Sequence, residues 1–151
     1  MPRLSFEDFE PGAVTTYGSY LVTREEIIAF ASQYDPQPMH LDEAAAAGTL
    51  LGGLGSSGWH TCSMLMRMLY DNVLADSTGM GSGGIDEVKW KRPVRPGDRL
   101  SVRQTVLDAR PSSRGDRGYV RFRFEVLNQA GEVVMEQTNS IIFGVARPEA
   151  A

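Results

Sequence analysis

A carboxylate and one of the two histidines of the chain lie five positions apart, as Asp35 and His40, in the segment Tyr34–His40. Pro36 and Pro38 stand between them. Because proline fixes φ near about −65° and lacks an N–H group, no helix runs through the segment, which is predicted to be an ordered loop. A carboxylate that is ionised at neutral pH, beside an imidazole that gains or loses a proton there, suits general acid–base catalysis.

Spacing alone leaves two interpretations of this loop open. If Asp35 and His40 act together, the loop has to turn between them, because an extended strand would place them on opposite faces. Two prolines with Asp and Gln also make an ordinary connector between helices, in which Asp35 caps a backbone N–H group.

The composition limits the class of protein. With 151 residues, 42% of them hydrophobic and 23% charged, the chain fits one globular domain, residues 1–151, with its own core. The net charge of −4 argues against a nucleic-acid-binding protein. Cys62 is the only cysteine, which excludes an intrachain disulfide and indicates a reducing cytoplasm. Without a signal-peptide pattern or an apolar run of about 20 residues, neither secretion nor a membrane span is expected.

Local signals place a strand and a helix before the loop. Residues 13–22 are rich in threonine and tyrosine, which favours a strand. Thr23 and Glu26 then match a capping box, in which each side chain accepts a hydrogen bond from the other residue's backbone N–H group. The helix that they begin is expected to stop before Pro36.

A short helix and a glycine-rich segment follow the loop. Asp42 is the predicted N-cap of a helix over residues 43–47, and Gly48 stands where a left-handed residue would end it. Residues 48–58 contain five glycines. Neither a Gly-Lys-Ser/Thr ending nor a G-x-G-x-x-G pattern accompanies them, so this segment is not predicted to bind a nucleotide.

The second half of the chain combines one apolar helix with long strands. Residues 58–74 are largely apolar and nearly uncharged, which predicts a helix buried nearly all round. Val120, Phe122 and Phe124 alternate with charged residues, as expected of an antiparallel strand with one buried face. Strands are predicted over residues 85–94, 99–109, 119–128 and 132–145.

This order of elements resembles the MaoC-like (R)-specific enoyl-CoA hydratases and acyl dehydratases. The resemblance covers nearly the whole chain and is most specific over residues 34–42 and 57–60. It implies an α+β hotdog fold, in which a curled antiparallel sheet wraps around a central buried helix. The family loop is usually Asp-x-Asn-Pro-x-His, and this chain departs from it at Gln37. It matches that loop at Asp35, Pro38 and His40.

The resemblance implies that water adds to a 2-enoyl thioester, or leaves the (R)-3-hydroxyacyl thioester, without a metal or redox cofactor. Asp35 and His40 would hold and polarise the water. The backbone N–H of Gly58, at the start of the buried helix, would donate to the thioester oxygen as it becomes negative. Some family members carry a small hydroxyl two turns into this helix, where this chain has Met66. Further substrate-binding positions implied by the family are Gln37, Ser57, Trp59 and His60.

His60 has two interpretations. It contacts substrate, as its family position suggests, or it is a histidine in the first turn of a buried helix whose ring is satisfied by a nearby carbonyl or hydroxyl. A metal site is disfavoured, because the two histidines form no local pair such as H-E-x-x-H.

The thioester would be carried by coenzyme A or by an acyl-carrier protein. A basic run, residues 89–99, contains Asp98 as its only acid, and within it Arg92 and Arg95 are the candidates for binding the phosphates of coenzyme A. Three arginines outside the run compete for this role: Arg110, Arg114 and Arg117. A homodimer with sheets joined edge to edge is expected, because it hides an exposed strand edge.

Two rivals to the hydratase remain. A hotdog thioesterase would also use a carboxylate and a helix-end oxyanion hole, although the spacing of Asp35 and His40 favours the hydratase. A non-catalytic subunit that binds thioesters and supports a catalytic relative would explain the departures at Gln37 and Met66. The length and branching of the acyl group are left open.

Overall fold

A computed structural model describes residues 3–146 of the chain, so the predicted domain limits, residues 1 and 151, lie outside it. The helices are α1 (Arg24–Tyr34), α2 (Glu43–Ala47) and α3 (Gly58–Asn72). Short 3₁₀ turns lie at Phe6–Asp8, Pro38–His40 and Leu74–Asp76. The strands are β1 (Val14–Leu21), β2 (Gly79–Gly81), β3 (Ile85–Trp90), β4 (Arg99–Pro111), β5 (Arg117–Leu127) and β6 (Val133–Gly144).

The six strands form one antiparallel sheet in the order β1-β4-β5-β6, with β2 and β3 sharing the position beyond β6. The long strands β4, β5 and β6 make up its centre. In the part of the chain that the structure describes, β3 pairs with β6 alone, so its other edge is open to solvent.

The core lies between α3 and the inner face of the sheet. Met64, Leu65 and Met68 of α3 are buried there against Phe122 and Phe124 of β5. Along β5 buried residues alternate with partly exposed or exposed charged ones, which confirms the predicted alternation. The architecture is the predicted α+β hotdog, with a curled antiparallel sheet around a central helix.

The prediction that the central helix is buried nearly all round is wrong for the single chain. The sheet covers only one face of α3, because its strands curl past the helix on that side alone. On the opposite face Trp59 is 62% exposed, and Met66 and Tyr70 are each 50% exposed.

Two predicted helix-end details are also wrong. Thr23 caps α1 by accepting the Glu26 N–H at 3.2 Å, but the Glu26 carboxylate does not reach back to Thr23. It accepts the hydroxyl of Tyr20 on β1 instead, because the strand lies beside the helix start. Asp42 caps α2 as predicted, at 2.9 Å from the Ala45 N–H. Gly48 ends that helix at φ −86°, outside the left-handed region.

Strand bounds differ from the sequence analysis mainly around the site. The structure adds β2, and β3 stops at Trp90 rather than at residue 94. The ladder cannot continue, because Lys91 and Arg92 both donate their N–H groups to the same carbonyl of Val134 and Pro93 has no N–H group. The chain therefore leaves the sheet here and passes the start of α3.

Candidate active site

The loop between α1 and α2 brings Asp35 and His40 together. Asp35 is the C-cap of α1, and a 3₁₀ turn over Pro38–His40 reverses the chain after it. Oδ2 of Asp35 lies 3.5 Å from Nε2 of His40, and their side chains are 17% and 7% exposed. The turn that the sequence analysis required between them is therefore present.

The Asp35 carboxylate is held by two hydrogen bonds. Its Oδ2 accepts the Ser57 hydroxyl at 2.6 Å and its Oδ1 accepts the Gln37 amide at 2.7 Å. The Ser57 bond lowers the pKa of Asp35 below its ordinary value, burial opposes this, and the Gln37 bond lowers it further. Asp35 is thus ionised at neutral pH, and Gln37 braces the loop despite its departure from the family pattern.

The proton of the His40 ring is placed by a backbone carbonyl. Nδ1 of His40 lies 2.7 Å from the oxygen of Gly55. Because a carbonyl oxygen only accepts, Nδ1 carries the proton, and Nε2 of the neutral ring has a lone pair. When the ring is neutral, Nε2 of His40 and the adjacent Asp35 carboxylate are both acceptors, which suits a molecule that donates twice, such as water.

Gly58 supplies an N–H group at the start of α3. Within residues 3–146 no acceptor takes this N–H, as is usual in the first turn of a helix. A Cβ atom at Gly58 would overlap the indole of Trp90. A side chain here would require the Trp90 ring or the start of α3 to move, and the helix dipole adds a positive potential at the same point.

A cleft of about 280 Å³ is lined by His40 and Gly58, whereas Asp35 and Ser57 are not among its lining residues. Its walls come from the proline loop, the glycine-rich segment, the start of α3 and the segment that follows β3. Most lining side chains are apolar, among them Met39, Leu51, Trp90 and Val94, with His40 and Gly58 between them. Lys91 and Arg92 also line it.

The two arginines proposed for phosphate binding have different surroundings. Arg92 is exposed and lies 3.1 Å from the Glu132 carboxylate. Arg95 directs its guanidinium into the glycine-rich segment, where it donates to backbone carbonyls. Phosphate contact by either residue stays a prediction, and Arg92 is the better placed of the two.

His60 lies on a different side of α3 from this cleft. Its ring is 3% exposed, stacks on Phe30 with 4.9 Å between ring centres, and places Nε2 3.7 Å from the Glu26 carboxylate. Its Nδ1 has no hydrogen-bond partner among the residues described, so no carbonyl or hydroxyl satisfies that atom, contrary to the second interpretation. Contact between His60 and substrate stays a prediction.

Sequence reasoning missed the contributions of Gly55 and Trp90. The role of Gly55 rests on its carbonyl, which every residue has, so no residue type signals it. Trp90 was included in a strand, and only its packing against Gly58 shows that it shapes the site. Trp59, a predicted substrate-binding residue, lies outside the cleft lining and packs edge-on against Trp90 at 5.4 Å.

No group of three metal-binding side chains is arranged to hold a metal ion among residues 3–146. In the same part of the chain, no helix has the length and apolar character that crossing a membrane requires.

A protein-family model described as a MaoC like domain matches residues 8–126. The crystal structure of a MaoC-like dehydratase from Rhodospirillum rubrum is similar over 96% of this chain and 99% of that one, with a TM-score of 0.89 and 42% sequence identity. An R-hydratase from Pseudomonas aeruginosa, solved without ligand, has a TM-score of 0.75 at 24% identity, over 95% of this chain and 87% of that one. This second likeness shows the shared fold.

A mesaconyl-CoA hydratase from Cereibacter sphaeroides is 42% identical over 74 residues. The match covers 48% of this chain and 22% of that protein, so it relates the chain to only a part of a longer protein.

Proposed function

The chain belongs to the MaoC-like domain family, and we propose that it is an enoyl-CoA hydratase or acyl dehydratase that adds water to a 2-enoyl thioester or removes it from the (R)-3-hydroxyacyl thioester. One observation supports this most: Oδ2 of Asp35 and Nε2 of His40 lie 3.5 Å apart. Two adjacent acceptors can hold and activate one water molecule. A nearby N–H group at a helix start can stabilise the negative charge that the addition places on the thioester oxygen.

In the proposed mechanism one water donates an O–H to each of Asp35 and His40. As the water oxygen bonds to C3 of the enoyl group, Nε2 of His40 takes the proton of the O–H that faces it. The electron pair of the C2–C3 double bond forms a C1–C2 double bond, and the π pair of the thioester carbonyl moves to its oxygen, where the Gly58 N–H stabilises the negative charge. His40 then returns its proton to C2, which restores the thioester carbonyl and the neutral ring.

Coenzyme A is proposed as part of the substrate, without a separate cofactor. The cleft beside His40 and Gly58 is mainly apolar, as an acyl or pantetheine group requires. Arg92 lies at the side of the cleft and is exposed. Its ion pair with Glu132 is on the surface, so replacing the carboxylate by a phosphate as the partner of Arg92 would cost little free energy. Delivery by an acyl-carrier protein would use the same cleft.

A homodimer is proposed as the working form. The exposed apolar face of α3 and the open edge of β3 are adjacent, since Trp59 packs against Trp90. Exposed aromatic side chains beside an unpaired strand edge are a surface that a second copy can cover.

Hydration of enoyl-CoA thioesters by the purified protein tests the function directly. Loss of the conjugated absorbance is followed over crotonyl-CoA, longer linear enoyl-CoA thioesters and a branched dicarboxylic one such as mesaconyl-CoA. The last is included because of the partial similarity to a mesaconyl-CoA hydratase. We expect turnover of at least one substrate, with water added and the thioester intact.

The same samples separate the two rivals. Release of free coenzyme A without hydrated product, measured with a thiol reagent, would identify a thioesterase. Saturable binding of every thioester with neither reaction would identify a non-catalytic subunit. Either result contradicts the proposed function.

A further inference from the structure

The guanidinium of Arg95 lies among backbone carbonyls of the glycine-rich segment. Its Nη1 donates to the oxygens of Gly53 at 2.6 Å and Leu54 at 3.3 Å, and its Nη2 donates to the oxygen of Leu51. Arginine suits this position because its planar group carries five N–H donors in fixed directions and keeps its charge. One side chain thus holds a stretch of backbone that has no helix or strand of its own.

The packing at Gly53 shows how closely the guanidinium approaches. A Cβ atom at Gly53 would lie 3.1 Å from Nη1 of Arg95 and 3.2 Å from the carboxylate of Glu43. Both distances are tighter than ordinary van der Waals contact, so a side chain here would push the arginine away. The observed position of the Arg95 guanidinium therefore requires glycine at position 53.

The backbone of Arg95 is itself fixed. Its N–H donates to Oδ2 of Asp98 at 2.9 Å, and the other oxygen of that carboxylate accepts the Gln129 amide at 3.0 Å. The preceding residue, Val94, accepts the Ser56 N–H at 2.9 Å. The turn that carries Arg95 is thus anchored to the turn between β5 and β6 and to the glycine-rich segment, so the guanidinium acts from a fixed backbone position.

Gly55 connects this arrangement to the proposed reaction. It directly follows Leu54, which Arg95 holds, and it precedes Ser56, which Val94 holds. Its oxygen accepts the proton of His40 Nδ1 at 2.7 Å, and its N–H donates to the carbonyl of Met39 at 3.4 Å. The orientation of this one carbonyl determines which nitrogen of His40 carries the proton.

We propose that Arg95 is a positioning residue, which holds the segment 51–55 so that the Gly55 carbonyl keeps the proton on Nδ1 of His40 and leaves Nε2 as the base. This role differs from contact with a phosphate of coenzyme A. The inference rests on the proposed function for its catalytic meaning, but the position of the proton is measurable without any reaction.

The first measurement is the ¹⁵N NMR spectrum of the His40 ring, recorded at rising pH until its signals stop changing, so that the neutral ring is observed. The signals of the two histidines are assigned with the variant His60→Phe. We expect the wild-type ring to carry its proton on Nδ1, and the variant Arg95→Gln to lose that preference. Arg114→Gln, in the turn between β4 and β5, is the matched control and should keep it.

The second measurement separates kcat from KM with an enoyl-pantetheine thioester, which has no coenzyme A phosphates. Arg95→Gln should lower kcat by about 10²-fold, the usual cost of misplacing a catalytic group by about 1 Å, with little change in KM. Arg95→Lys should lower kcat as well, because one ammonium cannot bind three carbonyls in fixed directions. Should Arg95→Gln not fold, Arg95→Lys takes its place in both measurements.

Three results would overturn the inference. They are a wild-type His40 protonated on Nε2, an Arg95→Gln ring that keeps its proton on Nδ1, and a loss confined to KM for the coenzyme A substrate. The first of these needs no variant. A wild-type protein that has the Nδ1 proton and loses it in Arg95→Gln, yet hydrates no thioester, would support the inference and contradict the proposed function.

Discussion

Ser57 donates its hydroxyl proton to Oδ2 of Asp35 at 2.6 Å, which joins the N-cap of α3 to the C-cap of α1. The same hydroxyl accepts the backbone N–H of Trp59 at 3.3 Å, and Ser57 is fully buried. The carboxylate of Asp35 and the N–H of Gly58 are therefore parts of one rigid unit. This unit would hold a water and a thioester oxygen at set positions without further rearrangement.

Asp35 and His40 should act as one catalytic unit. We expect Asp35→Asn and His40→Gln each to lower kcat by at least about 10²-fold, because a positioned acid or base contributes about 10²–10⁴. The double variant should be scarcely worse than the poorer single variant. Steady-state kinetics measure this, and thermal melting checks the fold. Strictly multiplicative losses would show that the two groups act separately.

Gly58→Ala should abolish hydration, because the added methyl group overlaps the indole of Trp90 and moves either that ring or the start of α3. Gly48→Ala is the matched control. Gly48 also lies at a helix end, has φ −86° and has no atom within 4 Å of a built Cβ. Turnover and melting temperature of both variants test the prediction, and normal kcat in Gly58→Ala would remove this N–H from the mechanism.

Arg92→Gln should raise KM for an enoyl-CoA substrate far more than for the enoyl-pantetheine thioester, because only coenzyme A carries the phosphates that the guanidinium would bind. The ion pair with Glu132 is exposed, so its loss should cost at most about 1 kcal/mol of stability. Arg121→Gln, on β5, removes a comparably exposed ion pair, with Asp86, and serves as the control. Equal KM changes for both substrates would exclude phosphate binding by Arg92.

The buried ring of His60 should make folding stability depend on pH. Burial lowers the pKa of His60, and the nearby Glu26 carboxylate opposes this shift. Glu26 also accepts the Tyr20 hydroxyl, whose pKa is raised to about 12 by burial and by that carboxylate. Arg67 lines a second pocket, separate from the cleft at His40, together with Tyr20, Glu26 and His60. The unfolded chain therefore binds the histidine proton more tightly, so stability is lost as the pH falls below about 6.5.

Urea unfolding of wild type and His60→Phe between pH 8 and pH 5 measures this effect. The phenylalanine keeps a ring against Phe30, and both proteins contain His40, so the difference in pH dependence isolates His60. We expect the variant to lose less stability than wild type at the acid end. Parallel curves for the two proteins would show that the His60 ring is not held neutral in the fold.

The exposed face of α3 should form the dimer interface. Tyr70→Glu places a charge on that face and should yield monomers at micromolar concentration in sedimentation equilibrium, whereas the wild type should be a dimer. Leu107→Glu on β4, where the leucine is 38% exposed, is the control and should remain dimeric. A wild-type monomer with full activity would contradict the proposed working form.

Local rules in the sequence determined the types of most elements and placed Asp35 and His40 in one ordered loop. The two prolines of the loop exclude a helix, and the alternation along β5 defines one buried face. The hotdog fold was implied by the resemblance of the chain, most specific over residues 34–42 and 57–60, to the MaoC-like family.

The tertiary structure alone decided which partners these residues meet. Glu26 turns to Tyr20 rather than back to Thr23, and Arg95 turns to the carbonyls of residues 51–54 rather than to solvent. The Gly55 carbonyl accepts the hydrogen bond from Nδ1 of His40, and because glycine has no side chain, nothing in the sequence indicated this contact. The Arg95 contacts join residues 41 to 44 positions apart in the chain, and the other two join neighbouring elements whose relative placement is set by packing. The local pattern of residue types does not show which backbone carbonyl or carboxylate a side chain will meet.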